Sequence, residues 1–493
     1  MKKGFDNAKY LKLQTENILK RVEKFNNKLY IEFGGKLFDD FHASRVLPGF
    51  EKNAKIEVMK KLKKKLEVLF VINAKDIERN KIRSDLGIAY EMDVLRQIDL
   101  LSKMGILANK IVITQFEGEQ AALIFKNKVE RRDIKVYLHT YTKGYPTDVD
   151  VIVSEEGYGA NPYIETEMPI VLVTAPGPGS GKLGTCLSQI YHEYKRGVKA
   201  GYAKYETFPI WNLPLKHPVN LAYEASTADL NDVNMIDSFH LEKYNEKTVN
   251  YNRDLAVFPV LKTILHKIYD EDIYFSPTDM GVNMVGHAII NDEICKNAAK
   301  QEIIRRYFHE KCQYKKGVND GNSSKKIEML MGELEITTHD RNVVKRSLDN
   351  FEKKREVSIA LELSNGKFVT GKNSDIMTAG ASIILKSLRS LAKISDDTHL
   401  LSLIVLEPLK ELKKGLFNNG EALLNIYDVL TALSLSAVTN PIVELALSQL
   451  PKLKGCEAHA SHMISSNDQT TFKNLGINLT QEPEFFSKKL YEE

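Results

Sequence analysis

Residues 170–187 read IVLVTAPGPGSGKLGTCL. An apolar run, Ile170 to Val173, enters a segment where Gly177, Gly179 and Gly181 alternate with small residues. Leu183, Leu187, Ile190, Tyr191 and Tyr194 then recur at helical spacing. A strand, a glycine loop and a helix in that order suit phosphate. Small residues let several backbone N–H groups face one anion, Lys182 adds a point charge, and the helix presents its positive end. The spacing departs from the phosphate-loop pattern G-x-x-x-x-G-K-[ST], because Pro176 holds the place of the first glycine and Leu183 that of the hydroxyl. The reading is therefore that Gly177 and Gly179 make the turn, and that Ser180 or Thr185 supplies the hydroxyl. The expected ligand is ATP or another phosphorylated small molecule, with magnesium.

Upstream, helical patterns at 52–66, 90–104 and 119–129 alternate with the apolar runs 68–72, 111–114, 134–139 and 149–153. Short Val- and Ile-rich runs between helices indicate a parallel sheet covered on both faces. The expected architecture is α/β, a doubly wound and mostly parallel sheet of Rossmann-like or P-loop-like type, with the glycine loop after its fifth strand. Ligands collect at the carboxyl ends of such strands, and polar residues follow each run. Lys81 and Arg83 are the further anion-binding candidates.

Leu29–Phe33 reads as a short apolar run ahead of FDDFHASRVLPGF. There Asp39, Asp40, His42 and Arg45 share one loop, with Asp40, His42 and Arg45 as the catalytic candidates. A helix cap paired with Arg explains the same residues structurally. From 197 to 252 the chain is rich in Pro, Asn and Asp and reads as a long irregular insertion of the kind that forms lids or binding loops. Its carboxylates Glu224, Asp229 and Asp237 are the metal candidates, against the plainer reading as turn and cap residues. The polar segment KKGVNDGNSSKK sets an expected boundary, giving a first domain over 1–325 and a smaller α+β domain over 326–493. In the latter, Asn365-Gly366 between two apolar runs signals a hairpin. Glu457, His459 and His462 form a weak zinc-like string.

With 493 residues, 43% of them hydrophobic, the chain can bury more than one core. Lys plus Arg number 69 against 65 Asp plus Glu, a balance that gives no nucleic-acid footprint. Four scattered cysteines and the lack of a long apolar run lead to the expectation of a cytoplasmic protein with no membrane partner. A homo-oligomer is also expected.

FDDFHASRVLPGF, NKIRSDLGIAYE, TAPGPGSGKLGTCLSQIYHE, NLAYEASTADLNDVNMIDSFH, VNYNRD and SPTDMGVNM together resemble a family of uncharacterised bacterial proteins of about this length. That family is a domain of unknown function in an N-terminal and a C-terminal part. The resemblance spans nearly the whole chain and implies a cytoplasmic bacterial protein with a Rossmann-like or P-loop-like first domain, but it brings no catalytic residues. On the residues alone, the expected function is phosphoryl or nucleotidyl transfer or cleavage. The alternatives are a non-catalytic nucleotide or metabolite sensor and a metal-dependent hydrolase.

Overall fold

The computed structural model describes residues 3–38, 40–83, 86–417 and 423–487. Two compact units divide between Ala299 and Lys300, inside the helix Asp292–Lys315.

In the first unit, the strands β1 (Leu29–Phe33) and β2 (Leu66–Asn73) are followed by a small antiparallel ribbon of β3 (Ile82–Arg83) and β4 (Ile88–Ala89). Next come β5 (Leu107–Thr114), β6 (Lys135–Leu138), β7 (Ile170–Thr174) and β8 (Gly201–Tyr205). A second ribbon joins β9 (Asn234–Ile236) to β10 (Val249–Tyr251), and β11 is Gly281–Val282. Seven of these strands form one sheet in the order β11-β8-β1-β7-β2-β5-β6, every pairing parallel. β7 is buried at all five positions, as a strand covered on both faces requires.

The order explains where a ligand would collect. Connections leaving β1, β2 and β5 move one way across the sheet, whereas those leaving β6, β7 and β8 move the other way. Right-handed crossovers put these two sets on opposite faces, so a crevice opens where neighbours diverge. β7 has such a neighbour on each side, β1 and β2. The helix Lys182–Lys195, which follows β7, packs on β1 and against the helix Asn252–Tyr269.

Two readings from sequence change here. The run 149–153 is not a strand: Asp148 accepts a hydrogen bond from Val151 N–H and starts the short helix Val149–Ile152. The glycine loop still follows the fifth strand of the sheet, because Leu29–Phe33 takes the place that 149–153 vacates. The stretch 197–252 is less irregular than its composition, since it contains β8, β9, β10 and the helices Pro218–Ser226 and Ser238–Tyr244. The lone tryptophan, Trp211, lies under β11: a Cβ added at Gly281 would sit 2.2 Å from its ring.

The second unit carries a mixed four-stranded sheet of β12 (Ser358–Glu362), β13 (Phe368–Lys372), β14 (Glu457–Ala460) and β15 (Asn478–Gln481), in the order β13-β12-β14-β15. The hairpin β12–β13 turns through Gly366 at φ +80°, as the Asn-Gly pair predicts. Helices Ala379–Ala392, Ile426–Ala437 and Pro441–Leu447 supply Ile383, Ile384, Leu388, Val429, Leu433 and Val443 to its core. His459 stands on β14 rather than on a helical face, with its ring nitrogens near Thr480 (2.9 Å) and Glu482 (3.2 Å), while Glu457 binds Arg305 and Arg341. Of the zinc-like string, Glu457 and His459 are thus held by separate polar partners, and the His462 ring packs against Phe351.

Candidate functional site

Beyond Thr174 the chain turns through 175–181 into the helix Lys182–Lys195. Gly179 and Gly181 have φ of +72° and +85°, where a side chain would be strained. Gly177 is required by proximity instead, because a Cβ there would lie 2.3 Å from Tyr90 Oη. The loop is fastened from within and from β5. Thr114 Oγ1 donates to the Ser180 carbonyl (2.7 Å), Ser180 Oγ to the Gly177 carbonyl (2.8 Å) and Thr185 Oγ1 to the Gly181 carbonyl (3.0 Å). Both hydroxyls that the sequence offers are therefore spent on the loop itself.

What the loop leaves open is its amide side. Among the described residues, no backbone N–H from Gly177 to Gly184 has a protein acceptor, and no side chain caps the helix. Lys182, the first helical residue, has no hydrogen-bond or ion-pair partner among the described residues. Unpaired amides at a helix start, beside an unpaired ammonium, make a site that attracts anions.

On the β2 side, Lys81 lies 5.0 Å from the centre of the Tyr90 ring and pairs with Asp76 at 3.2 Å. The structure therefore brings Lys81 to the loop through Tyr90. Arg83 is instead tied to the fully buried Asp93, 2.6 Å away. Farther along, Asn73 Nδ2 donates to Gln115 Oε1 (2.8 Å) and Lys75 pairs with Glu117 (2.9 Å).

On the β1 side stands a group that sequence reading missed. Glu32 pairs in register with Val173 on one side and Lys204 on the other. The Lys204 ammonium is 2.6 Å from Asp254 and 2.8 Å from Glu206, and the Tyr202 hydroxyl donates to Glu32 at 2.7 Å. Burial pushes the Glu206 carboxyl up; Lys204 opposes this, Asp254 adds to it, and the result is a value of about 7. Burial also drives up the Cys186 thiol on the second turn of the helix Lys182–Lys195. Glu32 reinforces that shift and Lys182 counters it, so the carboxylate group and the loop lysine act on one residue. The signal was present in GYAKYETF, residues 201–208: a lysine inside a short Tyr-rich alternation needs a buried partner. It was masked by the Pro, Asn and Asp around it.

The catalytic candidates of the N-terminal loop lie on a helix start. Asp40 caps Phe41–Val46 by accepting from Ala43 N–H (3.0 Å) and pairs with the buried Lys55 at 2.8 Å. Burial raises its carboxyl, but Lys55 and the cap outweigh burial and hold it below the usual range. The His42 ring stands edge-on to Phe208 and Tyr223, 5.3 Å from each. Arg45 follows in the same helix, and Asp39 lies outside the described residues.

The three metal candidates are not brought together. Glu224 accepts from Asn234 through both its backbone and its amide (3.1 and 3.0 Å). Asp229 is exposed on the turn Ala228–Leu230. Asp237 is fully buried, capping Ser238–Tyr244 and accepting from Asn250 and Thr278. Among the described residues, no group of three His, Cys, Asp or Glu side chains is arranged to hold a metal ion. A separate groove of ≈ 710 Å³, lined by Phe239, Lys243, Phe258, Lys262 and Phe275, contains none of these groups.

Residues 3–335 match the model described as domain of unknown function DUF1846, N-terminal, and residues 339–491 match its C-terminal counterpart. The chain belongs to the DUF1846 family. A DUF1846 relative named as a UPF0371 protein of Clostridium botulinum (strain Eklund 17B / Type B) is 56% identical, the alignment covering 100% of this chain and 99% of that one. UPF0371 proteins of Clostridioides difficile (strain 630) and Clostridium tetani (strain Massachusetts / E88) are 55% and 54% identical, over 100% of this chain and 100% and 99% of theirs. These names state no activity. The N-terminal DUF1846 match contains the glycine loop, Lys182 and the Lys204 group; the C-terminal match contains the four-stranded sheet. No helix of the described residues is long and apolar enough to cross a membrane.

Proposed function

We propose that the first unit binds a phosphate-bearing small molecule, ATP or another phosphate ester, on the amides of Gly177 to Gly184 and the ammonium of Lys182. The observation that carries this reading is the row of amides around Lys182 that, like its ammonium, are unpaired among the described residues, at the carboxyl end of an inner strand. In these terms the sheet is P-loop-like, with its phosphate loop moved to the fifth strand. Lys81 is the second cation. Magnesium would arrive on the ligand's phosphates, since it keeps few protein ligands in such sites.

Phosphoryl or nucleotidyl transfer is favoured over a purely sensory role by Glu206. Its carboxyl lies buried at the same end of the sheet, where burial raises its affinity for a proton, and a group so placed suits proton transfer. Lys182→Ala tests the site by calorimetry against inorganic phosphate and a nucleotide panel. Affinity should fall about ten-fold or more, as for loss of a charge-assisted contact. Unchanged affinity for every ligand that binds the parent would sink the assignment. Product analysis after incubation with ligand and magnesium separates transfer from sensing.

A further inference from the structure

Two hydroxyls near the carboxyl end of β8 are buried without a partner among the described residues. Tyr251 is 6% exposed and Thr207 5%, and neither Tyr251 Oη nor Thr207 Oγ1 makes a hydrogen bond with the described residues. Native folds rarely leave such groups unbonded unless something absent from the protein itself bonds them. Tyr251 is held firmly: β10 pairs it with Asn234, and its ring stacks on Tyr223 (5.8 Å, 29°), which stacks on Phe208 (4.9 Å, 15°). Burial raises its phenol, and the negative groups that raise it further include Glu206 and Asp254, the two carboxylates that grip Lys204. Thr207 follows Glu206 in the chain. Through that stack Tyr251 lies two rings from Phe208, the residue that follows Glu206 and Thr207.

The phosphate loop is close by. Glu32 stands between Val173 on β7 and Lys204 on β8, so the two groups are separated by two strand spacings, about 10 Å of sheet. A second anion would meet Glu32, Glu206 and Asp254. A further cation would compete with Lys204, which already occupies the carboxylates. Hydroxyls that can both donate and accept, next to carboxyls and aromatic rings, match neutral vicinal hydroxyl groups.

We propose that Tyr251, Thr207 and Glu206 form a subsite for the hydroxyl-bearing part of the phosphorylated ligand, making that ligand a phosphate ester of a sugar. This rests on the phosphate-loop reading and names the substrate class for it. The ester's source is either a free sugar phosphate or the ribose of a nucleotide.

Calorimetry on the full chain tests it with inorganic phosphate, pentose and hexose phosphates, and adenine nucleotides as probes. The expected result is that at least one ester class binds about ten-fold or more tightly than inorganic phosphate. Tyr251→Phe should then lose about three- to ten-fold on that ester and nothing on inorganic phosphate, the usual effect of one neutral hydrogen bond. A gain confined to sugar phosphates assigns the free sugar, and a gain confined to nucleotides assigns the ribose. Thr207→Val carries the same test should Tyr251→Phe fail to fold. The subsite is overturned if phosphate binds through Lys182 but no ester binds more tightly. It is equally overturned if both hydroxyl variants bind the ester as the parent does. Failure of inorganic phosphate and every ester to bind, or indifference to Lys182→Ala, overturns the phosphate loop itself and this subsite with it.

Discussion

Glu206 and His139 tilt stability in opposite directions over the same range of pH. The raised Glu206 carboxyl binds its proton more tightly in the folded chain. Its contribution is full below the ordinary value of 4.5 and is lost as the pH climbs to about 7. His139 is pushed down to about 4 by burial, against the opposing hydrogen bond to the Pro162 carbonyl. Its contribution is full above 6.5 and is lost as the pH falls toward 4. Between 4.5 and 6.5 the two offset each other. Denaturant titrations should therefore show Glu206→Gln gaining stability with rising pH relative to the parent, by up to about 1.4 kcal/mol per pH unit. His139→Gln should tilt the other way by a similar amount, and parallel curves for all three proteins would refute both assignments. Lys182 was legible in the sequence because glycines and a helix frame it. Glu206 was not, since only the fold sets it beside Lys204 and Asp254.

The element that governs the candidate site is the turn between β7 and its helix, and its geometry depends on a residue from a distant crossover. Tyr90 begins the helix Tyr90–Lys103 and leaves no room for a side chain at Gly177. Gly177→Ala should destabilise the first unit by about 1–3 kcal/mol through overpacking. Adding Tyr90→Leu should recover part of that loss in urea unfolding; a neutral single variant would mean the ring moves aside freely. The strand–loop–helix order was readable because its apolar run is long and its glycines are close-set. Two other elements were hidden by context: β8 sits among prolines and asparagines, and the run 149–153 has strand composition but follows the cap Asp148. In 149–153 local propensity lost to the cap, whereas in β8 it held and was only masked by the composition around it.

At the scale of the whole chain, each unit has its own apolar interior. The second unit's core runs from Val357 to Ile477 and includes Ile359, Leu361, Ile384, Leu433 and Phe472. A fragment over residues 292–493, which keeps the helix Asp292–Lys315 whole, should give a cooperative far-ultraviolet melting curve. A gradual melt would refute an independent second core. Ile404 on the helix Leu403–Phe417, Tyr427 and Leu435 on Ile426–Ala437, and Val438 just after it are exposed apolar side chains, and they are where the homo-oligomer expected from sequence would be sought. Leu435→Asp with Val438→Asp should lower the sedimentation coefficient if these side chains join two copies and leave it unchanged otherwise. The α/β class and the Asn-Gly hairpin could be read from periodicity and turn chemistry; the strand order could not, because pairing across long crossovers leaves no local mark. Trp211, wedged under β11, gives the molecule an optical asymmetry. As the only indole in the chain, it makes tryptophan emission a signal from the first unit alone, so ligand titration and unfolding there can be followed by fluorescence while the second unit stays dark.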